Sequence, residues 1–370
     1  MNHVWKEGVV MPETFQLKKV KAEYVTIKPF EPEKDGYIFL HGLAIAEFKG
    51  KLFCAWAHNK VLENSDSEEV NYAVSYDKGK TWSEFIQGHF LAEQGMAVSH
   101  GVFLVHKEKL YYFAPQFKGQ LGTEMLRMGV YVYDEASECF NFQQIVLNER
   151  FWPIGVPILM DNGNYIMTGA YIDSDYTSPN NAAAVAISHG SDIMHWDMVK
   201  INRAKDVRVW GECGVIVNGN HCKMYCREDS KKLKALYSES FDYGRTWSEM
   251  GLSNLPMIDS KPCVGTLSTG QHYLICSCAS NIADADRPLV GDMQWSTING
   301  RDPLTIALTE KGEETFSRLY SIDSGKVLSY PHAIQVDKKL YVVYSSAVSN
   351  VDGFNRNSAE LAIIDIDELR

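Results

Sequence analysis

The sequence predicts an all-β chain folded as a single β-propeller. Three observations carry that reading: a strand–turn–strand unit that recurs six times, two Asp-box motifs in phase with it, and a composition rich in strand formers. Aromatic residues make up 12% of the 370 residues, and Val, Ile, Thr, Tyr and Trp suit pleated sheet. A propeller grows by adding blades around an axis, so one domain over residues 1–370 can absorb a length that would otherwise suggest two.

The recurring unit is a polar or glycine-containing turn followed by an alternating apolar strand, the pattern of a hairpin. It reads FKGKLFCAW at Phe48–Trp56, HKEKLYYFA at His106–Ala114 and MDNGNYIMTG around Gly163. It returns as VNGNHCKMYCR around Gly219, LSTGQHYLICS around Gly270 and VDKKLYVVYSS around Lys338, about 50 to 70 residues apart. That spacing fits a four-stranded antiparallel blade with its loops. A second element follows each of the first five copies and ends in a large aromatic. Two of these fit S-x-D-x-G-x-T-W: Ser75, Asp77, Gly79, Thr81, Trp82 and Ser240, Asp242, Gly244, Thr246, Trp247. In such a turn Asp accepts backbone N–H bonds, Gly supplies φ > 0, and Trp fills the space between blades. The motif is structural and receives no catalytic role. The last copy is followed by a third strand, Ala359–Leu369, with no evident fourth. The N-terminal strand at Val20–Pro29 is placed to supply it and so cover an open sheet edge.

A net charge of −11 disfavours nucleic acid and anionic membrane as partners. None of the eight cysteines forms a C-x-x-C pair, and all read as buried free thiols. No apolar leader opens the chain and no run of about 18 apolar residues occurs. The expected location is the cytoplasm, or the periplasm or exterior if a signal peptide has been removed.

Because the first two strands of a blade are antiparallel, the start of strand one and the end of strand two share a rim. The Asp-box turn, between strands three and four, lies on the opposite one. Before strand one stand His41, His100, Trp152, Trp210 with Glu212, Lys261, and Tyr330 with His332. After strand two stand His58, Asn59 and Lys60, then Gln116, Tyr171, Arg227, and Asn281 with nearby Arg287. The other histidines (His3, His89, His106, His189, His195, His221 and His272) read as surface or turn residues. A polar rim of this kind suits an anionic sugar. Arg227, Arg287 and Lys60 can neutralise a carboxylate, His58 and His100 can move protons, and Tyr330 can donate one. Trp152 and Trp210 offer ring faces. A uronate whose carboxylate is neutralised becomes acidic at C5, and loss of that proton expels the 4-linked group. A sialic acid or neutral hexose would instead require a carboxylate pair or a Tyr nucleophile. No cofactor is required. A divalent cation, calcium or zinc, is compatible with the rim, and His41 and His332 are the candidate ligands.

The Asp-boxes resemble those of the sialidase superfamily. Glu212, Arg227, Arg287 and Tyr330 follow the order of a sialidase's Glu, second and third Arg, and Tyr. The superfamily's Arg-Ile-Pro motif is absent, and Tyr37-Ile-Phe-Leu-His41-Gly stands there instead. A closer resemblance covers nearly the whole chain. AWAHNK at Ala55–Lys60, VSHGVFL at Val98–Leu104, FWPIGVP at Phe151–Pro157, AVAISHG at Ala184–Gly190, the stretch Ser253–Cys276 and NSAELAII at Asn357–Ile364 look like the propeller family that removes L-rhamnose from glucuronic acid in arabinogalactan. That resemblance implies seven blades, with residues 1–36 helping to form the extra one. It also implies a rhamnosyl-α-1,4-glucuronate lyase with an essential histidine, His100 or His58, supported by Tyr330 and Arg227. His41, Asn59, Lys60, Trp152, Trp210, Glu212, Arg287 and His332 are the expected substrate contacts. An exo-acting α-L-rhamnosidase or sialidase-like hydrolase, and a glycan-binding propeller without catalysis, stand as alternatives.

Overall fold

A computed structural model describes the chain except residues 88–89, 91, 93–94, 175–177, 231, 279–300 and 348–356. The turns of the repeat are tight hairpins joining the innermost strand of each blade to the second. Lys49 and Gly50 lie at φ 50° and 79°, and Lys107 and Glu108 at 46° and 59°. Paired positive φ values match the right-handed twist of the flanking strands.

Six antiparallel sheets follow in chain order. Blade one is Phe39–Phe48, Lys51–Asn59 and Glu69–Ser75, with Ile86 bridging Tyr72 on its outer side. Blade two has an interrupted inner strand, Ala97–Val98 and Val102–His106, then Lys109–Lys118, Met125–Asp134 and Cys139–Leu147. Blade three is similar, with Phe151–Pro153 and Ile158–Leu159 inside, then Tyr165–Tyr171, Ala182–His189 and Asp192–Lys200. Blade four is Val209–Asn218, His221–Glu228, Lys234–Ser240 and Gly251–Pro256, and blade five is Cys263–Thr266, His272–Ser277, Leu304–Thr309 and Phe316–Asp323. Blade six runs Val327–Val336, Lys339–Ala347 and Ser358–Asp365, and Ala22–Lys28 pairs with Ser358–Asp365 as its outermost strand.

The core follows the same count. Six large apolar clusters each bridge two neighbouring blades, including one that joins Leu361 and Ile363 of blade six to Leu43 and Trp56 of blade one. The ring is therefore closed with six blades, which corrects the expected seven. Residues 1–21 build no seventh sheet. They run as a strap along the outside, where Asn254 Oδ1 accepts from the Val4 and Trp5 amides at 2.9 and 2.8 Å. Trp5 bridges Phe316 and Lys19 bridges Ser321, so this segment passes from blade four over blade five to blade six.

Both Asp-boxes fold alike. Asp242 accepts from the Thr246 amide at 2.8 Å and its hydroxyl at 2.7 Å, and Ser240 Oγ donates to it at 2.8 Å. Trp247 Nε1 donates to the Gly244 carbonyl at 2.8 Å. A Cβ on Gly244 would come within 2.7 Å of Ile166 Cδ1 in blade three, and one on Gly79 within 3.0 Å of Leu361 Cδ2 in blade six. The motif thus packs each blade against its predecessor. All eight cysteines are free thiols and seven are buried, Cys139 being half-exposed.

Candidate active site

In five blades the innermost strand loses register at the same level. The breaks fall between His41 and Ala44, at Ser99–Gly101, at Ile154–Pro157, between Val209 and Cys213, and between Ser329 and His332. A bulge re-aims the side chains beside it, and here it turns them towards the axis. Positive φ values mark three of these breaks: Gly42 at 65°, Gly211 at 104° and Tyr330 at 54°. For a tyrosine that conformation is uncommon and strained, a feature concentrated at functional sites. Gly42 also makes room for a neighbour, because a Cβ there would lie 1.8 Å from His100 Cδ2.

The bulges bring together a buried group around Tyr330. Its phenol donates to Glu212 Oε1. Arg227 Nη1 donates to Glu212 Oε2 at 2.9 Å and lies 3.3 Å from the phenol oxygen, while its Nε donates to Asp229 at 2.7 Å. Burial works against the Arg227 charge, but Asp229 and Glu212 outweigh it and hold the guanidinium's pKa well above its ordinary value. Burial, then the Glu212 charge, raises the Tyr330 phenol well above its usual range, so the phenol keeps its proton until a base takes it. Glu212 is placed to be that base. Arg301 donates to Ser329 Oγ at 3.0 Å and the Asp259 carbonyl at 2.9 Å, with its guanidinium carbon 5.7 Å from the Tyr330 ring centre.

Tyr330 and Glu212 open onto a narrow pocket of about 30 Å³. One wall is apolar, a continuous cluster that includes Leu121, Trp152, Ile154, Ala170, Ile172 and Trp210. The other carries Glu63, Asn64 and His100. Burial of its carboxyl, then the nearby Glu212 charge, lifts the pKa of Glu63 to about 7. Glu68, whose carboxylate accepts from the Asn64 amide at 2.5 Å, is lifted by burial to about 8. Trp152 Nε1 donates to His100 Nδ1 at 3.3 Å, which places the imidazole proton on Nε2. Burial, then the Lys261 charge, depresses His100 to about 3, so its ring is neutral.

Other rim residues lie elsewhere. His58 stacks on Tyr37 at 3.7 Å and its Nδ1 accepts from Asn71 Nδ2 at 2.9 Å. Burial, then Lys28, lowers it to about 3. It does not line the pocket. Asn59 is fully buried and spends its amide on Ser65, Ser67 and the Val61 amide. Lys60 is exposed above the Tyr37 ring. This trio braces the loop that carries Glu63. Gln116 is sealed by Tyr131 and Arg127, and Tyr171 lies under Lys200. His41 Nδ1 bonds to Ser345 Oγ at 2.8 Å, and its ring packs 3.8 Å from that of Tyr330. His332 Nδ1 accepts from the Ile45 amide at 3.3 Å. Among the described residues no three His, Cys, Asp or Glu side chains gather as a metal site. Asn281, Arg287 and His89 lie outside the described residues. His106, read as a surface or turn residue, stands at the hairpin turn and is buried, its Nδ1 3.0 Å from the Tyr165 hydroxyl.

Glu63, Glu68, Asp229, Asp259 and Arg301 escape a reading limited to strand ends. Each lies in a connection between strands, and Glu63, Glu68, Asp229 and Arg301 belong to loops joining strands two and three, which cross the same rim. The acidic run around Ser65–Glu69 was the one available signal.

Residues 102–342 match the model of the BNR repeat-like domain, and the chain belongs to that family. No curated protein matches the sequence. Among solved structures, a Dyadobacter fermentans protein of unknown function superposes with TM-score 0.67 at 14% identity, covering 94% of this chain and 99% of its own. Trypanosoma rangeli sialidase with 2,3-difluorosialic acid, described as a covalent intermediate, gives TM-score 0.67 at 16% identity. That alignment covers 96% of this chain and 60% of the trypanosomal one. Leech intramolecular trans-sialidase with 2,7-anhydro-Neu5Ac gives 0.67 at 11% identity, covering 90% and 69%. These likenesses establish the sialidase-type propeller fold.

Proposed function

We propose that this protein is a glycoside hydrolase in which Tyr330 is the nucleophile. The observation that carries this is the buried Tyr330–Glu212–Arg227 group opening onto the pocket that also holds Glu63. Glu212 takes the phenolic proton as the Tyr330 oxygen attacks the anomeric carbon, and Arg227 holds the carboxylate in place. Glu63, protonated up to about pH 7, gives its proton to the leaving oxygen and then activates the water that releases the sugar. Trp152 and Trp210 form walls against which a sugar ring can pack. The relatives of the same fold include a sialidase and a trans-sialidase, which supports a saccharide substrate.

Replacing Tyr330 by Phe is expected to lower turnover by on the order of 1,000-fold or more. A deoxyfluoro glycosyl fluoride should add one sugar mass to the native protein at Tyr330, read by peptide mass spectrometry. Unchanged hydrolysis in Tyr330→Phe, with no adduct, rules the nucleophile out.

A second reading is a β-elimination on rhamnosyl-glucuronate, supported by His100 in the same pocket. It requires the other neutral tautomer, with the proton moved to Nδ1 and the Trp152 hydrogen bond given up, before Nε2 can act as base. Offering that disaccharide separates the two: the lyase yields an ultraviolet-absorbing unsaturated uronate, the hydrolase rhamnose with saturated glucuronate.

A further inference from the structure

Below the level of Tyr330 the axis widens into a second cavity of about 350 Å³. It is walled by the inner strands of blades three to six, including Gly155, Gly214 and Gly265. A Cβ at these three glycines would come 2.3 Å from Thr168 Oγ1, 2.8 Å from Val264 Cγ2 and 2.4 Å from the Tyr273 hydroxyl. Glycine therefore lets these neighbours approach the backbone closely. Lys261 lines the cavity and is only 4% exposed. No hydrogen bond or ion pair reaches its Nζ among the described residues, and Nζ lies 5.9 Å from the centre of the Tyr330 ring. Burial lowers the Lys261 pKa, opposed by Cys263 and then by Glu212, and Glu212 is already taken by Tyr330 and Arg227.

His332 lines the same cavity. Because its Nδ1 accepts from the Ile45 amide, the ring proton sits on Nε2, and that N–H is a donor with no partner among the described residues. The Tyr273 hydroxyl lines the wall further along. Thr168 donates its own hydroxyl proton to the Cys213 carbonyl at 2.8 Å. Burial opposes the charge on Lys261, its charge reaches the His332 ring, and no carboxylate is among the described lining residues. A small anion would supply the counter-ion that a buried ammonium needs.

We propose that this axial cavity binds a small anion of single charge, held by Lys261 Nζ and the Nε2–H of His332. A halide and a small carboxylate such as formate share the required chemistry. The site adjoins the Tyr330 pocket, with Ile154 lining both, and its occupancy can be read without the reaction carried out there.

Crystals of the full chain soaked in bromide should show an anomalous scattering peak within hydrogen-bonding distance of Lys261 Nζ. Loss of that peak on back-soaking in formate identifies a carboxylate as the preferred occupant, and its retention a halide. In solution, chloride should raise Tm above the value in gluconate at equal ionic strength, and Lys261→Met should abolish the difference. Bromide found only on the outer surface, an adventitious ion only, overturns the proposal. So does an equal chloride response in Lys261→Met. Should that variant fail to fold, the bromide map of the wild-type protein decides alone.

Discussion

Two carboxyl groups face one pocket with different partners. Glu212 is engaged by Arg227 and Tyr330, while Glu63 has no such cation and keeps its proton to about pH 7. Environments that differ in this way divide the roles of base and acid between otherwise similar residues. Activity on a poor leaving group should therefore fall as pH rises through about 7, where Glu63 ionises. Glu63→Gln should lower kcat by about 100-fold on such a substrate and far less on an activated aryl glycoside. It should also remove the alkaline limb of the pH–rate profile, and a limb left in place would assign that ionisation to another group.

At the scale of the strand and turn, hairpins and Asp-boxes were legible because each is local. Alternation, a positive-φ turn and a terminal Trp fall within ten or so residues. The bulges that aim Glu212, Tyr330 and His100 were not, since a break in register depends on a partner strand. The loop residues Glu63 and Arg301 were missed for the same reason: their approach to the axis is set by loop path, not by periodicity. Thus the slots pointed equally to His58 and His100, whereas the fold puts only His100 against the pocket. The Asp-box itself can be tested. Gly244 lies at φ 80° with Ile166 of the preceding blade against it. Gly244→Ala should destabilise by about 1–3 kcal/mol, measured by denaturant unfolding. A matching Gly163→Ala change, in an open turn at φ 83°, should cost less, because it adds strain without overpacking.

For the whole molecule, the repeat gave the right number of units while family likeness suggested one more. Six apolar clusters, one per joint, leave no gap for a seventh sheet. The buried histidines also set a global pH response. Burial, the largest cause in each case, holds His58, His100 and His332 neutral in the fold, with pKa values of about 3 against 6.5 when unfolded. The unfolded chain therefore binds more protons between those limits, and stability falls as pH drops below about 6.5. Each histidine contributes a slope of about 1.4 kcal/mol per pH unit. Glu63 and Glu68 act oppositely: raised to about 7 and 8, they remove stability as pH rises from about 4.5 through those values. Thermal unfolding across pH should show a maximum near pH 6 and a steep acid flank. A stability that falls as pH rises from about 4.5 to 6 would mean that these imidazoles are not held neutral.

The sixth blade joins Thr26 to Glu360 across 334 residues of chain. During synthesis, blades one to five emerge with all their strands in hand, whereas Ala22–Lys28, made first, must wait for the strand it will lie beside. The ring can close only after Ser358–Asp365 has left the ribosome, so the earliest segment is among the last to settle. Until then the waiting strand is an open edge, and the strap over blades four and five can dock only once those blades exist. A premature stop anywhere before blade six would leave that edge unpaired, a form suited to recognition by chaperones and proteases.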